Sequence, residues 1–229
     1  GVTNKILASR AKRICVAYEG MERFFPKDRI VMTGNPLRGR LLEQHDPAVL
    51  KAEGLTYFGL TADKPIVFVV GGSLGTNVDR ITSEGNIQVI WQTGKFYERE
   101  MTEFMQSRSS EGIWRGAFID RMDLAYAVAD VVVGRSGAGT VSELCLVGKP
   151  AIFVPSPNVA EDHQTKNAMA LVRKDAALLV PDSEAVTALF PVVDQLLADP
   201  ARMQRMAANI KALGIADSAD RIVDELLAV

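Results

Sequence analysis

Residues 130–155 read DVVVGRSGAGTVSELCLVGKPAIFVP and contain all the parts of one βαβ unit. The apolar run Val131–Val133 predicts a buried parallel strand, residues 134–140 a glycine-rich turn, residues 141–146 a short helix, and the following apolar run a second strand. Small residues in such a turn let backbone N–H groups approach a ligand closely. The start of the helix near Thr140 offers unpaired donors to an anion. The segment therefore predicts an α/β fold with a phosphate-binding turn.

Glu143 lies in what we expect to be the first turn of that helix. A carboxylate at this point can accept hydrogen bonds from sugar hydroxyls next to a bound phosphate. The alternative is that it only complements the positive end of the helix dipole, which is worth about 0.3–1 kcal/mol. Both interpretations stay open at this point.

The composition is that of a globular chain with no bulk attraction to nucleic acid. The 229 residues are 48% apolar, and 26 basic against 28 acidic residues give a net charge of −2. Such a chain can bury one or two ordinary cores. The two cysteines, Cys15 and Cys145, lie in apolar runs and are expected to be reduced, buried thiols of a cytosolic protein. No apolar run approaches the roughly 18–20 residues of a membrane span, so we expect membrane contact to be peripheral at most.

A second glycine turn, Gly71-Gly72-Ser73-Leu74-Gly75, follows the apolar run Ile66–Val70. Because ligand loops of parallel sheets lie at the carboxyl ends of the strands, we expect this turn and residues 134–140 to share one edge. A further strand is predicted to end at Phe118-Ile119. The pair Asp46-Pro47 predicts the start of a helix that ends at Gly54.

Two short strands are predicted near the N-terminus, at Ile14–Tyr18 and Arg29–Thr33. Two strands do not form a stable sheet by themselves. Either the next domain covers them or the chain is a fragment, and we favour the fragment. Arg38, in the turn-rich run that follows, faces a cleft or solvent, and its position alone favours solvent.

Several chemistries lack their sequence signatures. Neither glycine turn is followed by a Walker lysine, no Gly-x-Ser-x-Gly elbow occurs, and the chain has no Cys or His cluster at metal-ligand spacing and no Asp-x-Asp pair. Neither turn spells Gly-x-Gly-x-x-Gly with an acidic residue about 20 positions later, which disfavours hydride transfer. The expectation is a site for a phosphorylated ligand that needs no metal and no cofactor.

Six runs occur in an order that resembles the MurG family, the bacterial UDP-N-acetylglucosamine transferases of peptidoglycan synthesis. They are Gly34-Asn35-Pro36-Leu37-Arg38, Gly71-Gly72-Ser73-Leu74-Gly75, Trp91-Gln92-Thr93-Gly94-Lys95, Phe118-Ile119-Asp120-Arg121-Met122, residues 135–143 and Asp162-His163-Gln164-Thr165-Lys166-Asn167. The resemblance covers nearly the whole chain but only the C-terminal part of the family. Only Thr76–Glu84 separates the first glycine turn from the next strand, where the family has a full helix.

The resemblance implies a GT-B fold, in which two Rossmann-like domains face each other across a cleft. Residues 1–38 would be a remnant of the N-terminal acceptor domain. Residues 39–217 would form the C-terminal UDP-sugar-binding domain with its parallel sheet, and helix 218–229 would return to the N-terminal domain.

By the same resemblance, UDP-GlcNAc would be bound by Arg38, Ser73, Phe118, Ile119, Ala138, Gly139, Thr140, Val141, Ser142, Glu143, Gln164 and Asn167. Phe118 and Ile119 would bracket the uracil, and Glu143 would hold the ribose hydroxyls. Ser73 and the turn at 138–140 would meet the diphosphate. Gln164 and Asn167 would read the sugar, and Arg38 would reach the ligand from the linker.

The implied activity is an inverting transfer of GlcNAc from UDP-GlcNAc to the C4 hydroxyl of lipid I, which produces lipid II. The catalytic base is expected in the missing N-terminal domain, so this chain alone would bind the donor without turnover. The enzyme would act peripherally at the cytoplasmic face of the bacterial inner membrane. Two alternatives stay open: another GT-B enzyme of UDP-sugars, such as an epimerase, and a non-catalytic nucleotide-sugar-binding subunit that needs a partner chain.

Overall fold

The computed structural model describes residues 2–18, 20–37, 39–43, 45–71, 86–106, 110–159 and 162–228. The strands are β1 (Ile14–Val16), β2 (Ile30–Met32), β3 (Ile66–Val70), β4 (Gln88–Gln92), β5 (Ile113–Gly116), β6 (Val131–Gly134), β7 (Ala151–Phe153) and β8 (Leu178–Leu179). The α-helices are α1 (Val2–Ala8), α2 (Gly39–Leu42), α3 (Pro47–Phe58), α4 (Glu98–Met105), α5 (Met122–Val128), α6 (Ala138–Val147), α7 (His163–Val172), α8 (Ala185–Leu197), α9 (Pro200–Lys211) and α10 (Ser218–Leu227). Short 3-10 helices occur at Met21–Arg23, Lys27–Arg29 and Asp182–Glu184.

Strands β3 to β8 form one parallel sheet in the order β5-β4-β3-β6-β7-β8. The chain enters the sheet at β3, runs outward to β5, and then continues at β6 on the other side of β3. Strands β3 and β6 pair in parallel from Val67 and Val131 to Val70 and Gly134. The reversal of strand order therefore lies between β3 and β6, which is where open α/β sheets bind their ligands.

Alternate residues of the central strands face two hydrophobic cores, one on each side of the sheet. Phe68 of β3 belongs to the core that also contains Leu124 of α5. Its neighbour Val67 belongs to the core that contains Leu189 of α8. Because helices cover both faces, the strands are apolar throughout rather than alternating. The predicted α/β fold with a parallel sheet is confirmed.

Helix α3 begins as predicted but does not end at Gly54. Asp46 is the N-cap and accepts a hydrogen bond from the Ala48 N–H at 2.8 Å, while Gly59, with φ of 63°, ends the helix. Gly54 lies inside the helix because α3 packs closely on α5. A Cβ at position 54 would lie 2.6 Å from Cγ1 of Val128 and 3.0 Å from the Leu124 carbonyl oxygen. The glycine permits a close helix contact rather than a helix end.

We expect Gly54→Ala to destabilise the fold. Overpacking of this kind costs about 1–3 kcal/mol, which exceeds the roughly 0.5–1 kcal/mol that alanine gains over glycine in a helix. Chemical denaturation measures the change in unfolding free energy. Gly39→Ala is the control, since a Cβ at Gly39 meets nothing within 4 Å. Equal stability of the two variants would show that α3 and α5 separate easily.

Strands β1 and β2 form a separate two-stranded parallel sheet, with Ile14 opposite Ile30 and Val16 opposite Met32. The segment that follows β2 packs on the start of α10. Gly34 has φ of 80°, and a Cβ there would run into the Ser218 hydroxyl and lie 3.1 Å from Cβ of Ile215. Arg13 also pairs with Glu225 of α10 at 3.0 Å. The N-terminal segment and α10 are thus in contact. Cys145 is buried as predicted, but Cys15 of β1 is exposed, so the prediction of a buried thiol is wrong there. The division into 1–38, 39–217 and 218–229 stays a prediction.

Candidate functional site

The reversal point of the sheet brings the ends of β3 and β6 side by side. Strand β3 continues into Gly71, whose φ of 139° favours glycine and whose N–H donates to the Gln92 carbonyl at 3.0 Å. Ser73 and the short segment Thr76–Glu84 lie outside the described residues, and so does Arg38. The part of the predicted site that the structure describes therefore consists of Phe118 and Ile119 and of the residues after β6.

The turn after β6 ends at Gly137, the N-cap of α6, where no side chain caps the helix. The Val141 N–H donates to the Gly137 carbonyl at 3.0 Å. Within the described residues, the preceding N–H groups of Ala138, Gly139 and Thr140 have no acceptor. A Cβ built on Gly137 or Gly139 would meet nothing within 4 Å. This helix start thus presents three donors and open space, which suits an anion.

The prediction that Glu143 lies in the first turn of its helix is wrong. Helix α6 begins at Ala138, because Gly137 serves as N-cap, and Glu143 falls in the second turn. The dipole effect falls off within the first turn, which weakens the interpretation of Glu143 as a dipole complement. The hydroxyl of Tyr126, a residue only 2% exposed, donates to Glu143 Oε2 at 2.9 Å. A buried tyrosine therefore orients this half-buried carboxylate.

Val141 and Ser142, which precede Glu143 in the predicted run, are held in different ways. Val141 is 1% exposed and its side chain belongs to the core, so only its backbone is open to a ligand role. The hydroxyl of Ser142 accepts a hydrogen bond from Asn35 Nδ2 at 2.9 Å. Both residues are therefore part of the framework of the turn.

Helix α7 is tied to the same turn through Ser136, which is fully buried. Ser136 Oγ donates to the Gln164 carbonyl at 2.8 Å, and Asn167 Nδ2 donates to the Ser136 carbonyl at 3.0 Å. Gln164 Oε1 accepts from the Ser156 N–H at 2.9 Å. These bonds fix one end of each carboxamide. In the described part of the chain the other ends, Gln164 Nε2 and Asn167 Oδ1, have no partner.

The segment proposed to contact a base lies after β5 rather than inside it. Strand β5 ends at Gly116 because β4, the strand it pairs with, ends opposite at Gln92. Phe118 and Ile119 therefore lie in a loop, with Phe118 56% exposed and Ile119 1% exposed. The Ile119 side chain belongs to the core. Among the residues the structure describes, its backbone N–H and C=O have no hydrogen-bond partner.

Arg121 anchors this loop to two helices. Its Nη2 lies 2.7 Å from Asp123 Oδ2, and its Nη1 lies 2.7 Å from Glu53 Oε1 of α3. Burial by itself would raise the pKa of Asp123, but the Arg121 guanidinium outweighs it and holds that pKa below its ordinary value. A folded-state pKa below the unfolded one means that the pair stabilises the fold at neutral pH. This stabilisation is lost as the pH falls through the folded-state pKa.

Two residues of the N-terminal segment also reach the start of α6, although neither was predicted to belong to the site. The Tyr18 hydroxyl donates to the Ala138 carbonyl at 2.9 Å. Asn35 Nδ2 lies 3.4 Å from the same oxygen. Asn35 lies in one of the six family-like runs, and this was a sequence signal that it could belong to the site. Tyr18 stands in none of them.

In the described ranges, no group of three or more His, Cys, Asp or Glu side chains is placed to hold a metal ion. Nor does any helix among the described residues combine the length and apolar character needed to cross a bilayer.

A parallel sheet with an uncapped helix start at its point of strand reversal defines a ligand-binding domain of the doubly wound α/β class. The chain belongs to glycosyltransferase family 28: residues 66–222 match the glycosyltransferase family 28 C-terminal domain.

Several curated relatives that match almost the whole chain are named UDP-N-acetylglucosamine--N-acetylmuramyl-(pentapeptide) pyrophosphoryl-undecaprenol N-acetylglucosamine transferase. The protein from Parabacteroides distasonis is 48% identical over 237 residues, which cover 100% of this chain and 64% of the relative. The protein from Bacteroides thetaiotaomicron is 46% identical and is covered to 63% of its length. This chain therefore spans just under two thirds of these relatives.

Solved structures resemble the fold closely. The crystal structure of Acinetobacter baumannii MurG matches with a TM-score of 0.74 and 25% identity, over 100% of this chain and 64% of that one. A UDP-GlcNAc 2-epimerase from Neisseria meningitidis, bound to UDP-GlcNAc, matches with a TM-score of 0.69 at 12% identity, over 100% of this chain and 64% of that one. The second likeness concerns the fold alone.

Proposed function

We propose that this chain is the donor-binding half of an inverting glycosyltransferase that moves GlcNAc from UDP-GlcNAc to lipid I, forming lipid II in peptidoglycan synthesis. The observation that carries the proposal is its close relatedness, at 48% and 45% identity over almost the whole chain, to proteins whose names specify this transfer. Membership of glycosyltransferase family 28 supports the same reaction type.

The geometry after β6 supports UDP as the part of the donor that is held most firmly. The free N–H groups of Ala138, Gly139 and Thr140 bind the diphosphate, and Glu143, oriented by Tyr126, accepts from the ribose hydroxyls. The exposed ring of Phe118 covers the uracil. The Ile119 side chain lies in the core, so its unpaired backbone groups pair with the uracil edge instead.

The side-chain carboxamides of Gln164 and Asn167 bind the sugar of the donor. Gln164 and Asn167 each have one end fixed by the framework of the turn, at 2.9 Å from the Ser156 N–H and 3.0 Å from the Ser136 carbonyl. Their opposite ends, the Gln164 amino group and the Asn167 oxygen, then bind GlcNAc hydroxyls. Arg38 and Ser73 complete the proposed donor site from the linker and from the turn after β3.

In this reaction the C4 hydroxyl of the acceptor attacks the anomeric carbon, and UDP leaves as the C1–O bond breaks. The three N–H groups of α6 stabilise the negative charge that develops on the departing diphosphate. Removing one such preorganised donor typically costs about 2.7–4 kcal/mol of transition-state stabilisation. The base that takes the hydroxyl proton is assigned to the part of the enzyme outside this chain.

The acceptor named for the relatives is linked to pyrophosphoryl-undecaprenol, a lipid. An enzyme that uses such an acceptor has to work where the lipid is. We therefore place the activity at the cytoplasmic face of the bacterial inner membrane, with peripheral attachment.

Calorimetry with this chain tests donor binding directly. We expect UDP-GlcNAc and UDP to bind with similar affinity, since UDP carries most of the contacts, and we expect a chelator to leave both affinities unchanged. Loss of binding on chelation would contradict the proposal, and so would competition by ATP as strong as that by UDP. Conversion of UDP-GlcNAc into its C2 epimer would instead favour an epimerase.

A further inference from the structure

The carbonyl group of Ala138 has an unusual set of donors. As a residue of the first turn of α6, it accepts the intrahelical bond from the Ser142 N–H four residues later. It also accepts from the Tyr18 hydroxyl at 2.9 Å and lies 3.4 Å from Asn35 Nδ2. The two extra donors come from residues 120 and 103 positions away. Helix carbonyls are normally satisfied by one donor, so this concentration at one oxygen calls for an explanation.

That carbonyl belongs to the same peptide unit as the Gly139 N–H. The peptide is planar and trans, so its C=O and N–H point in opposite directions. The N–H side points out of the helix start, as the N–H groups of a first turn do, and in the part of the chain that the structure describes it has no acceptor. A Cβ on Gly139 would likewise meet nothing within 4 Å. Donors on the oxygen polarise the peptide and strengthen the N–H as a donor, because hydrogen bonds in a chain reinforce one another.

We propose that Tyr18 and Asn35 are positioning residues for the anion site, which act on a bound diphosphate through the Ala138–Gly139 peptide. The inference rests on the proposed function, since it takes the ligand of this helix start to be a nucleoside diphosphate. It adds two residues of the N-terminal segment that touch no ligand themselves. They hold the peptide in place and make its N–H a better donor.

The surroundings of Tyr18 fit a fixed donor. Its ring packs against the core that contains Val141 and Leu144 of α6. Burial raises the pKa of the Tyr18 hydroxyl above its ordinary value, so the proton that it donates stays in place at neutral pH. Asn35 is held at a second point, because its Nδ2 also donates to Ser142 Oγ at 2.9 Å. Gly34, packed on Ser218 and Ile215, fixes the backbone just before it.

The test compares UDP with uridine, which lacks the phosphates, for the unchanged chain and for Tyr18→Phe. The variant keeps the ring and removes only the hydroxyl. We expect its UDP affinity to fall only about 1.5- to 4-fold, because the Gly139 N–H keeps its bond to the phosphate and loses only the reinforcement from the oxygen side, on the order of 10–30% of a charge-assisted hydrogen bond. Its uridine affinity, measured by ligand-observed NMR, should stay the same. Asn35→Ala should show the same split, and Tyr57→Phe, on α3, is the control that should change neither affinity.

The outcomes separate this inference from the proposed function. If the unchanged chain binds no UDP, the proposed function fails and the inference fails with it. If the unchanged chain binds UDP and Tyr18→Phe binds it equally well, only the inference is overturned. An equal loss for UDP and uridine would also overturn it, because Tyr18 would then support the site as a whole rather than the diphosphate.

Discussion

Glu143→Gln should weaken UDP binding by about 1.5–3 kcal/mol, or roughly 10- to 150-fold in Kd, as expected for losing a charged hydrogen-bond acceptor. The reason is that, in the proposed site, the charged Glu143 carboxylate accepts hydrogen bonds from the ribose hydroxyls. A glutamine has the same shape, and its oxygen can still accept from the Tyr126 hydroxyl, now 2.9 Å from Oε2. Folding stability should therefore move little. Calorimetry gives the affinity and chemical denaturation gives the stability.

The matched control is Glu100→Gln, which removes the same charge from an exposed position of α4. It should leave UDP binding unchanged, which would exclude an effect of net charge. If Glu143→Gln bound UDP normally and lost about 1 kcal/mol of stability instead, Glu143 would be a structural residue of α6.

The parts of the fold that were predicted correctly depend on local sequence. The apolar runs at 66–70 and 131–133 identify buried parallel strands because both faces of the sheet are covered, so no polar residue interrupts them. A glycine turn does follow this strand, as its composition predicts, but it is shorter than the predicted 134–140, because Gly134 ends β6 and α6 begins at Ala138. The family-like runs indicate the family, and the comparisons place residues 66–222 in it, while the site residues that these runs suggest stay a prediction.

The parts that were missed depend on contacts between distant residues. From the sequence alone, Gly54 predicts a helix end. Only the structure shows that α5 packs against this glycine, with Val128 close by. The start of α6 was misplaced for a local reason. Its N-cap is Gly137, and a glycine at this point is as typical of a turn as of a helix start. Nothing local to Tyr18 predicts its bond to Ala138, 120 residues later in the chain. Side chains that reach a site from so far away in the sequence can be identified only from the structure.

Gly139→Ala should raise the stability of the fold and weaken UDP binding at the same time. Position 139 is the second residue of α6, and alanine is favoured over glycine in a helix by roughly 0.5–1 kcal/mol. A Cβ there meets nothing within 4 Å, so the folded chain gains stability without a clash. The new methyl group occupies the space in front of the helix start, where the diphosphate is proposed to bind.

If the diphosphate binds as proposed, the methyl group keeps its oxygens from the Gly139 N–H. We expect UDP affinity to fall roughly 10- to 150-fold, which corresponds to about 1.5–3 kcal/mol for one charge-assisted hydrogen bond. Thermal unfolding should move to higher temperature in the absence of ligand, and uridine binding should not change, because uridine carries no phosphate. A variant that is more stable and still binds UDP as well as the unchanged chain would place the diphosphate elsewhere, and the start of α6 would then be an uncapped helix end with no ligand role.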